Sequence, residues 1–353
     1  MKMGAGATAF LVALAIVIAF VFYFIINGLP NSLPVFTTTV NLSYPTTTIG
    51  QTTIPQNQTL AYSLSLINND RNTFGLRNVS LSNETSGQQH ADSMLFNGYF
   101  SHWDVYGMKP YMRYTLLGGR GAVSENIAYI YRSNGIAVLS SLAQMEHNLV
   151  YNDLQCCNNG HKYNILDPAH TTVSIGVAYN DTTIYFVEDF INNYISWFYG
   201  TPLDNNNNVM LKGSVPSGYS LSDIEVSYDP PLHSLTSAQL AMEPYNSSYG
   251  YGQAIAGVGY TIGGRKYYYP NLTTINASTY STQGNNFDVA FNIGSLTQRY
   301  GAGEYTLLIF IDNSTTRSCS VYSSGGTYCT NFVAATYTIF INNNRQEYTP
   351  SNV

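Results

Sequence analysis

Charge is what this chain has least of. Only 10% of its 353 residues are Asp, Glu, Lys or Arg, against about a quarter in ordinary soluble domains. The few charges lean acidic, with 14 basic against 20 acidic residues and a net charge of −6. No basic stripe is available to neutralise phosphates, so nucleic acid is not an expected partner. No G-x-S-x-G elbow and no catalytic-cysteine pattern occurs, so no nucleophile is assigned. Cysteine is limited to 4 copies, an even number that an exterior compartment would allow to pair.

Tyrosine fills much of the gap, with 31 copies, and Asn, Ser and Thr fill most of the rest. Such a composition resembles that of secreted or surface-layer proteins. The length suffices for about two domains and a sizeable core.

Residues 4–26, "GAGATAFLVALAIVIAFVFYFII", carry no charge and are long enough to cross a bilayer as a helix. The run ends in bulky side chains instead of a small-residue cleavage site, which favours an uncleaved signal anchor over a cleaved signal peptide. Lys2 is the nearby charge and places the N-terminus inside. The expectation is a single-pass cell-membrane protein with the bulk of the chain extracellular. Nine Asn-x-Ser/Thr sequons, at Asn41, Asn57, Asn78, Asn83, Asn180, Asn246, Asn271, Asn276 and Asn313, permit glycosylation.

The chain divides into four parts: the anchor at 1–27, a stalk at 28–58, an α/β domain at 59–203 and a β domain at 204–353. The stalk is uncharged and rich in Thr and Pro, so it cannot bury a core. The α/β part shows helical spacing through Leu60, Leu64 and Ile67, a second helix from about Ser82 and a third from about Asn134 to Tyr151. Two strand-like runs, "TTVSIGVAYN" and "TTIYFVEDF", follow. Beyond Asn208 short alternating runs such as "DIEVSYD" and "FDVAFNI" predict an immunoglobulin-like sandwich.

In the third helix Glu146 falls on the apolar stripe of Leu139, Leu142, Ala143, Leu149 and Val150. A carboxylate facing a core needs a compensating group. Candidate companions are His102 in "GYFSHWD", His161 in "NNGHKYN" and Glu125 in "SENIA". Histidine with carboxylate is a common zinc ligand mixture, but these spacings match no local metal motif.

The ordered blocks Asn68/Arg71 with Gly75-Leu76, "HADSM", "GYFSH", Pro110/Arg113, "SENIA", "GHKYNIL" and "SIGVAY…YFVEDF" resemble the CAP superfamily, in its prokaryotic SCP-like branch, over about residues 60–195. The resemblance implies a three-layer α-β-α sandwich. It also implies a cleft built from His102, Glu125, Glu146 and His161, with the two histidines as metal ligands for zinc or a similar divalent ion. No organic cofactor is expected. His90 is read as a partly exposed helix-packing residue, His147 as pointing away from Glu146, and His170 as a loop residue. Cys319 and Cys329 flank a Gly-Gly turn and are expected to close a hairpin. For adjacent Cys156 and Cys157, free thiols, thiol exchange and pairing across chains all stay open, a bond between neighbours being strained.

The preferred functional reading is a surface binding and interaction module for lipid, glycan or protein. The alternative is a metal-dependent, peptidase-like hydrolase in which metal-activated water replaces the missing nucleophile.

Overall fold

A computed structural model describes residues 54–198, 203–204, 206–262, 265–267, 269, 271–313, 320–321, 327–328, 331–344 and 347. The expected anchor and nearly all of the stalk lie outside these residues. No helix among the described residues is long and apolar enough to cross a membrane.

The N-terminal half runs α1 (Gln56–Thr73), β1 (Ser80–Leu81), α2 (Ser86–Asn97), α3 (Pro110–Leu116), β2 (Ala122–Tyr131), α4 (Val138–Tyr151), α5 (Leu154–Cys157), α6 (Gly160–Ile165), β3 (Thr172–Tyr179) and β4 (Thr183–Asn192). Its sheet has the order β1-β3-β4-β2. β1 and β3 are parallel, and the other pairs are antiparallel.

Strand alternation sends successive side chains to opposite faces, and both faces of this sheet are covered. Val123 and Ile127 of β2, with Tyr185, Val187 and Ile191 of β4, pack with Ala91 and Met94 of α2 and Tyr111 and Met112 of α3. Ala128 and Ile130, with Ile184, Phe186 and Phe190, pack with Ile67 of α1 and Leu142, Met145 and Leu149 of α4. Helices therefore sandwich the sheet from both sides, in three layers. Helix α2 comes very close to β3: a Cβ on Gly176 would collide with the Gly87 backbone.

The C-terminal half contains β5 (Ser196–Trp197), β6 (Asn208–Ser214), β7 (Tyr219–Asp229), α7 (Ser237–Leu240), β8 (Gln253–Ile262), β9 (Arg265–Tyr267), β10 (Thr273–Asn276), β11 (Thr279–Gln283) and β12 (Asn286–Asn292). It continues through α8 (Gly294–Tyr300), β13 (Gly303–Asn313), β14 (Ser320–Val321), β15 (Thr327–Tyr328) and β16 (Asn331–Ile341). Two main sheets, β10-β8-β7-β13-β16 with β9 beside β8, and β11-β12-β6-β5, enclose a core of alternating residues. Val226, Val289, Phe291, Leu307 and Ile309 lie in it.

The region is mostly β, as its alternation predicts, but β10 runs parallel to β8, a pairing that an all-antiparallel immunoglobulin sheet lacks. β5 already pairs with β6, so the second sheet begins before residue 204. β14 pairs antiparallel with β15, while Cys319 and Cys329 lie outside the described residues.

The halves are not separate beads. Thr336 N–H donates to Gly121 O (3.0 Å), Thr338 N–H to Thr115 Oγ1 (3.2 Å) and Asn192 Nδ2 to Val333 O (2.9 Å). Leu235, Leu240, Tyr249 and Phe340 enter the same core as Tyr111 and Met112.

Candidate functional site

Pleat alternation in β2 and β4 decides which acids can meet. Glu125 lies opposite Asp189 and Asn126 opposite Glu188. Since neighbours along a strand point oppositely, Glu125 and Asp189 face α2 and α3, whereas Asn126 and Glu188 face α4.

On the first face Glu125 is the hub. Its Oε1 lies 2.8 Å from His102 Nδ1, and its Oε2 lies 2.7 Å from His90 Nδ1. Arg113 Nη2 donates to the same Oε2 (2.9 Å), and Arg113 Nη1 donates to the His102 and Met108 carbonyls (both 2.8 Å). Burial alone would raise the Glu125 carboxyl, but His90, Arg113 and the imidazole hydrogen bonds outweigh it and hold it below the usual range.

Burial lowers both rings: His102 falls below its ordinary value, and His90, beside Arg113 as well, is pushed down to about 4. Both rings are then neutral near pH 7, with Nδ1–H given to Glu125. Their Nε2 atoms are buried and have no hydrogen-bond partner among the described residues. Asp189 is raised well above the usual carboxylate range by burial and then by the charge of Glu125. It accepts from Ser86 Oγ (2.5 Å).

On the second face Glu146 occupies the apolar stripe of α4, 1% exposed. Among the described residues neither of its oxygens meets a basic or amide donor. It faces Glu188: Glu146 rises well above its usual value through burial and the charge of Glu188, and Glu188 is pushed up to about 7 by burial, against the lowering effect of its hydrogen bonds with Glu146 and Asn126. The pair is best described as two carboxyls sharing a proton. Asn126 Nδ2 donates to Glu188 Oε2 (3.1 Å) and to His161 O (3.3 Å).

His161 itself is placed by the turn before it. Asn158 and Asn159 adopt φ of 50° and 62°, a left-handed conformation that Asn tolerates better than most residues. These two asparagines, rather than Gly160, supply the turn. It brings His161 Nδ1 to 2.6 Å from Asp153 Oδ1. Ahead of it, Cys156 and Cys157 are disulfide-bonded to each other, the arrangement their adjacency seemed to disfavour.

Of the four expected cleft residues, then, His102 and Glu125 are in contact. His161 is close enough for its charge to disfavour protonation of His102. Glu146 is turned to Glu188 on the opposite face of the sheet. None of the four lines an open hollow: His102, Glu125 and His161 are 0% exposed.

The cover comes from the β domain. Tyr249 Oη accepts from Glu125 N–H (2.8 Å), and its ring lies 4.9 Å from that of His102. Around it Ser101 Oγ donates to Tyr245 O (2.6 Å), the Trp103 and Tyr245 rings meet edge-on at 5.7 Å, and Leu235 N–H donates to Val105 O (2.8 Å). Lys109 Nζ and Tyr111 Oη both bind Asp229 (2.6 and 2.7 Å), fixing the start of this strap.

Besides the adjacent strand acids Glu188 and Asp189, three members escaped sequence reasoning. His90 sits on the buried face of α2 but is also a ligand of Glu125. Asp153 carried no signal beyond its place eight residues before His161. Tyr249 lies 124 residues from Glu125, where no local pattern could point to it. His147 is exposed and stacks on Tyr151. His170 is buried and bonds Asn192 (2.8 Å) and Asn164 (3.1 Å).

Residues 64–190 match the family model described as CAP, the cysteine-rich secretory protein family. This segment is a CAP domain. It contains the histidines and acids of both faces, whereas Tyr249, Tyr245, Leu235 and Asp229 lie beyond it, so the cover over the CAP site is supplied from outside it. Among solved structures, an extracellular protein containing a SCP domain from Bacillus anthracis str. Ames is similar at 21% identity. The likeness covers 39% of this chain and 41% of that one, with a TM-score of 0.31. The chain thus aligns with less than half of that protein's length. No curated protein matches.

Proposed function

We propose that the protein is an extracellular binding and interaction module, held at the cell membrane by residues 4–26. Its CAP domain would keep a divalent metal at His102 and His161 and its outer surface would meet lipid, glycan or protein. The donor chemistry suits the metal. Each imidazole has Nδ1 on a carboxylate, Glu125 for His102 and Asp153 for His161. This is the outer-shell pattern that orients a metal-bound histidine. It would make Nε2 the ligating nitrogen, and the His102 Nε2 is buried without a hydrogen-bond partner among the described residues. A bound zinc or similar ion would supply a Lewis-acidic centre. Glu125 and Asp153 would hold the rings in the neutral, ligating tautomer, while Glu146 and Glu188 keep their proton between themselves.

The observation that favours binding over hydrolysis is the Tyr249 cover. A hydrolytic centre must admit a scissile bond to within hydrogen-bond reach of its base, and the His102 ring is sealed by Tyr249 and 0% exposed. The test is a zinc titration of the purified full chain, wild type against the double variant His102→Ala/His161→Ala, beside a peptide and ester hydrolysis panel. One equivalent of zinc bound by the wild type and lost in the double variant, without turnover, is the expected result. Turnover that disappears with His161→Ala and with chelation would replace this reading by the hydrolase. With Tyr249→Ala, metal uptake should become faster while stoichiometry stays the same.

A further inference from the structure

We infer that the Cys156–Cys157 disulfide is the oxidised, closed form of a second metal site, one that takes a thiophilic divalent cation on two thiolates and the Asp153 carboxylate. Three observations carry this. A carboxylate oxygen of Asp153 and the two sulfurs lie within 4.8 Å of one another, the spread of donors around one ion. Cys156 Sγ is 3.6 Å from Asp153 Oδ1 and 3.4 Å from Asp153 O. Cys156 is exposed whereas Cys157 is buried, so a reductant can reach one sulfur while the other stays within the protein.

The chemistry balances with one named co-reactant. A dithiol reductant attacks the exposed Cys156 sulfur as thiolate, displacing Cys157 as the leaving thiolate. Its second thiol then closes on the mixed disulfide, leaving a cyclic disulfide product. Two electrons and two protons have passed to the protein, which now carries two thiols. A divalent cation binding both sulfurs displaces their two protons. Sulfur donors select soft ions, and the single carboxylate adds one harder ligand.

This site is distinct from the imidazole pair, but the two share Asp153. That residue touches His161 Nδ1 through Oδ1 and accepts Lys162 N–H through Oδ2 (3.2 Å). A cation on the thiolates would therefore draw on the carboxylate that orients His161. The redox state of two adjacent cysteines would thus be felt one turn later in the chain, at the ring proposed for the first site.

The experiment uses cadmium, whose bonds to thiolate give an ultraviolet charge-transfer band that imidazole ligands do not. The full chain is titrated oxidised, and again after treatment with a dithiol that is then removed under anaerobic conditions. One equivalent of cadmium with the thiolate band in the reduced protein alone is expected. The exposed-site variant Cys156→Ser should lose the band and bind at least about tenfold more weakly. His102→Ala, which removes an imidazole of the first site, should leave the band intact, so failure of one site does not imitate failure of the other. No band in the reduced protein, an equal band in the oxidised protein, or an undiminished band in Cys156→Ser would each overturn the assignment. Asp153→Asn with unchanged affinity would remove the carboxylate from it.

Discussion

Replacing Glu125 with Gln removes one negative charge from a place where it balances a buried guanidinium and accepts hydrogen bonds from two neutral imidazoles. Arg113 is about nine-tenths buried and has no other carboxylate bonded to it among the described residues. Removing one partner of a buried ion pair costs about 3–5 kcal/mol. Glutamine keeps a single acceptor oxygen, so one of the two Nδ1–H groups is left without a partner, adding about 1–3 kcal/mol. Since each kcal/mol moves the midpoint of a large domain by about 2–4 °C, Tm should fall by on the order of 10–30 °C. The assay is thermal unfolding followed by near-ultraviolet circular dichroism. Combining Glu125→Gln with Arg113→Met removes both charges and should recover part of the loss, because the stranded cation dominates the cost. A Glu125→Gln protein within about 1 kcal/mol of wild type would refute the hub.

The same group makes an acid-side prediction. The folded carboxyl of Glu125 titrates below its unfolded value, so its contribution is present above about pH 4.3 and is lost as pH falls through the folded value. His90 adds to this at higher pH. Its folded ring titrates at about 4, so the unfolded ring takes up a proton first, below about pH 6.5. Stability should therefore decline from about pH 6.5 downward, and in Glu125→Gln the lowest part of that decline should be missing.

The acid pair on the other face works in the opposite sense. Glu188 is raised to about 7 in the folded chain, so the folded state binds the extra proton and stability falls as pH rises from about 4.3 through 7. Urea unfolding of Glu188→Gln, which keeps an acceptor for Asn126, should show a flatter profile and higher stability at pH 8. Equal slopes in both proteins would rule out the shared proton. Separately, Gly176→Ala should destabilise by more than about 3 kcal/mol, since its methyl would meet the Gly87 backbone and push α2, with His90 on it, away from the sheet. A loss under about 1 kcal/mol in chemical denaturation would show that α2 can slide without cost.

What the sequence disclosed follows from how local each signal is. The stripe of α4 exposed the burial of Glu146, because helical spacing repeats within four residues. Its partner Glu188 stayed hidden on a strand 42 positions later, although "FVEDF" carried a clue. Two adjacent acids in an otherwise apolar strand must point to opposite faces, so each needs its own buried partner. The hairpin of β3 and β4 was legible from alternation and an Asn-Asp turn. β2 was not predicted as a strand, its "SENIA" block serving only the family resemblance. The helices match their predicted places within a few residues, the second starting at Ser86 instead of Ser82 and the third at Val138 instead of Asn134. Tyr249 was illegible because tertiary docking, not local pattern, brings it to Glu125. The same docking covers the His102 ring, while strand alternation puts Glu188, and so its partner Glu146, on the other face of the sheet.

β2 is the last strand of the CAP sheet, and bare strand edges recruit other chains. Here the Glu125 amide is taken by Tyr249, and the Gly121 carbonyl by Thr336. Excising residues 64–190 would strip that border and leave unsatisfied peptide groups beside a surface already short of charge. What looks on paper like a portable module behaves in this chain as one half of a shared fabric, whose hem is sewn by sequence more than a hundred positions further on.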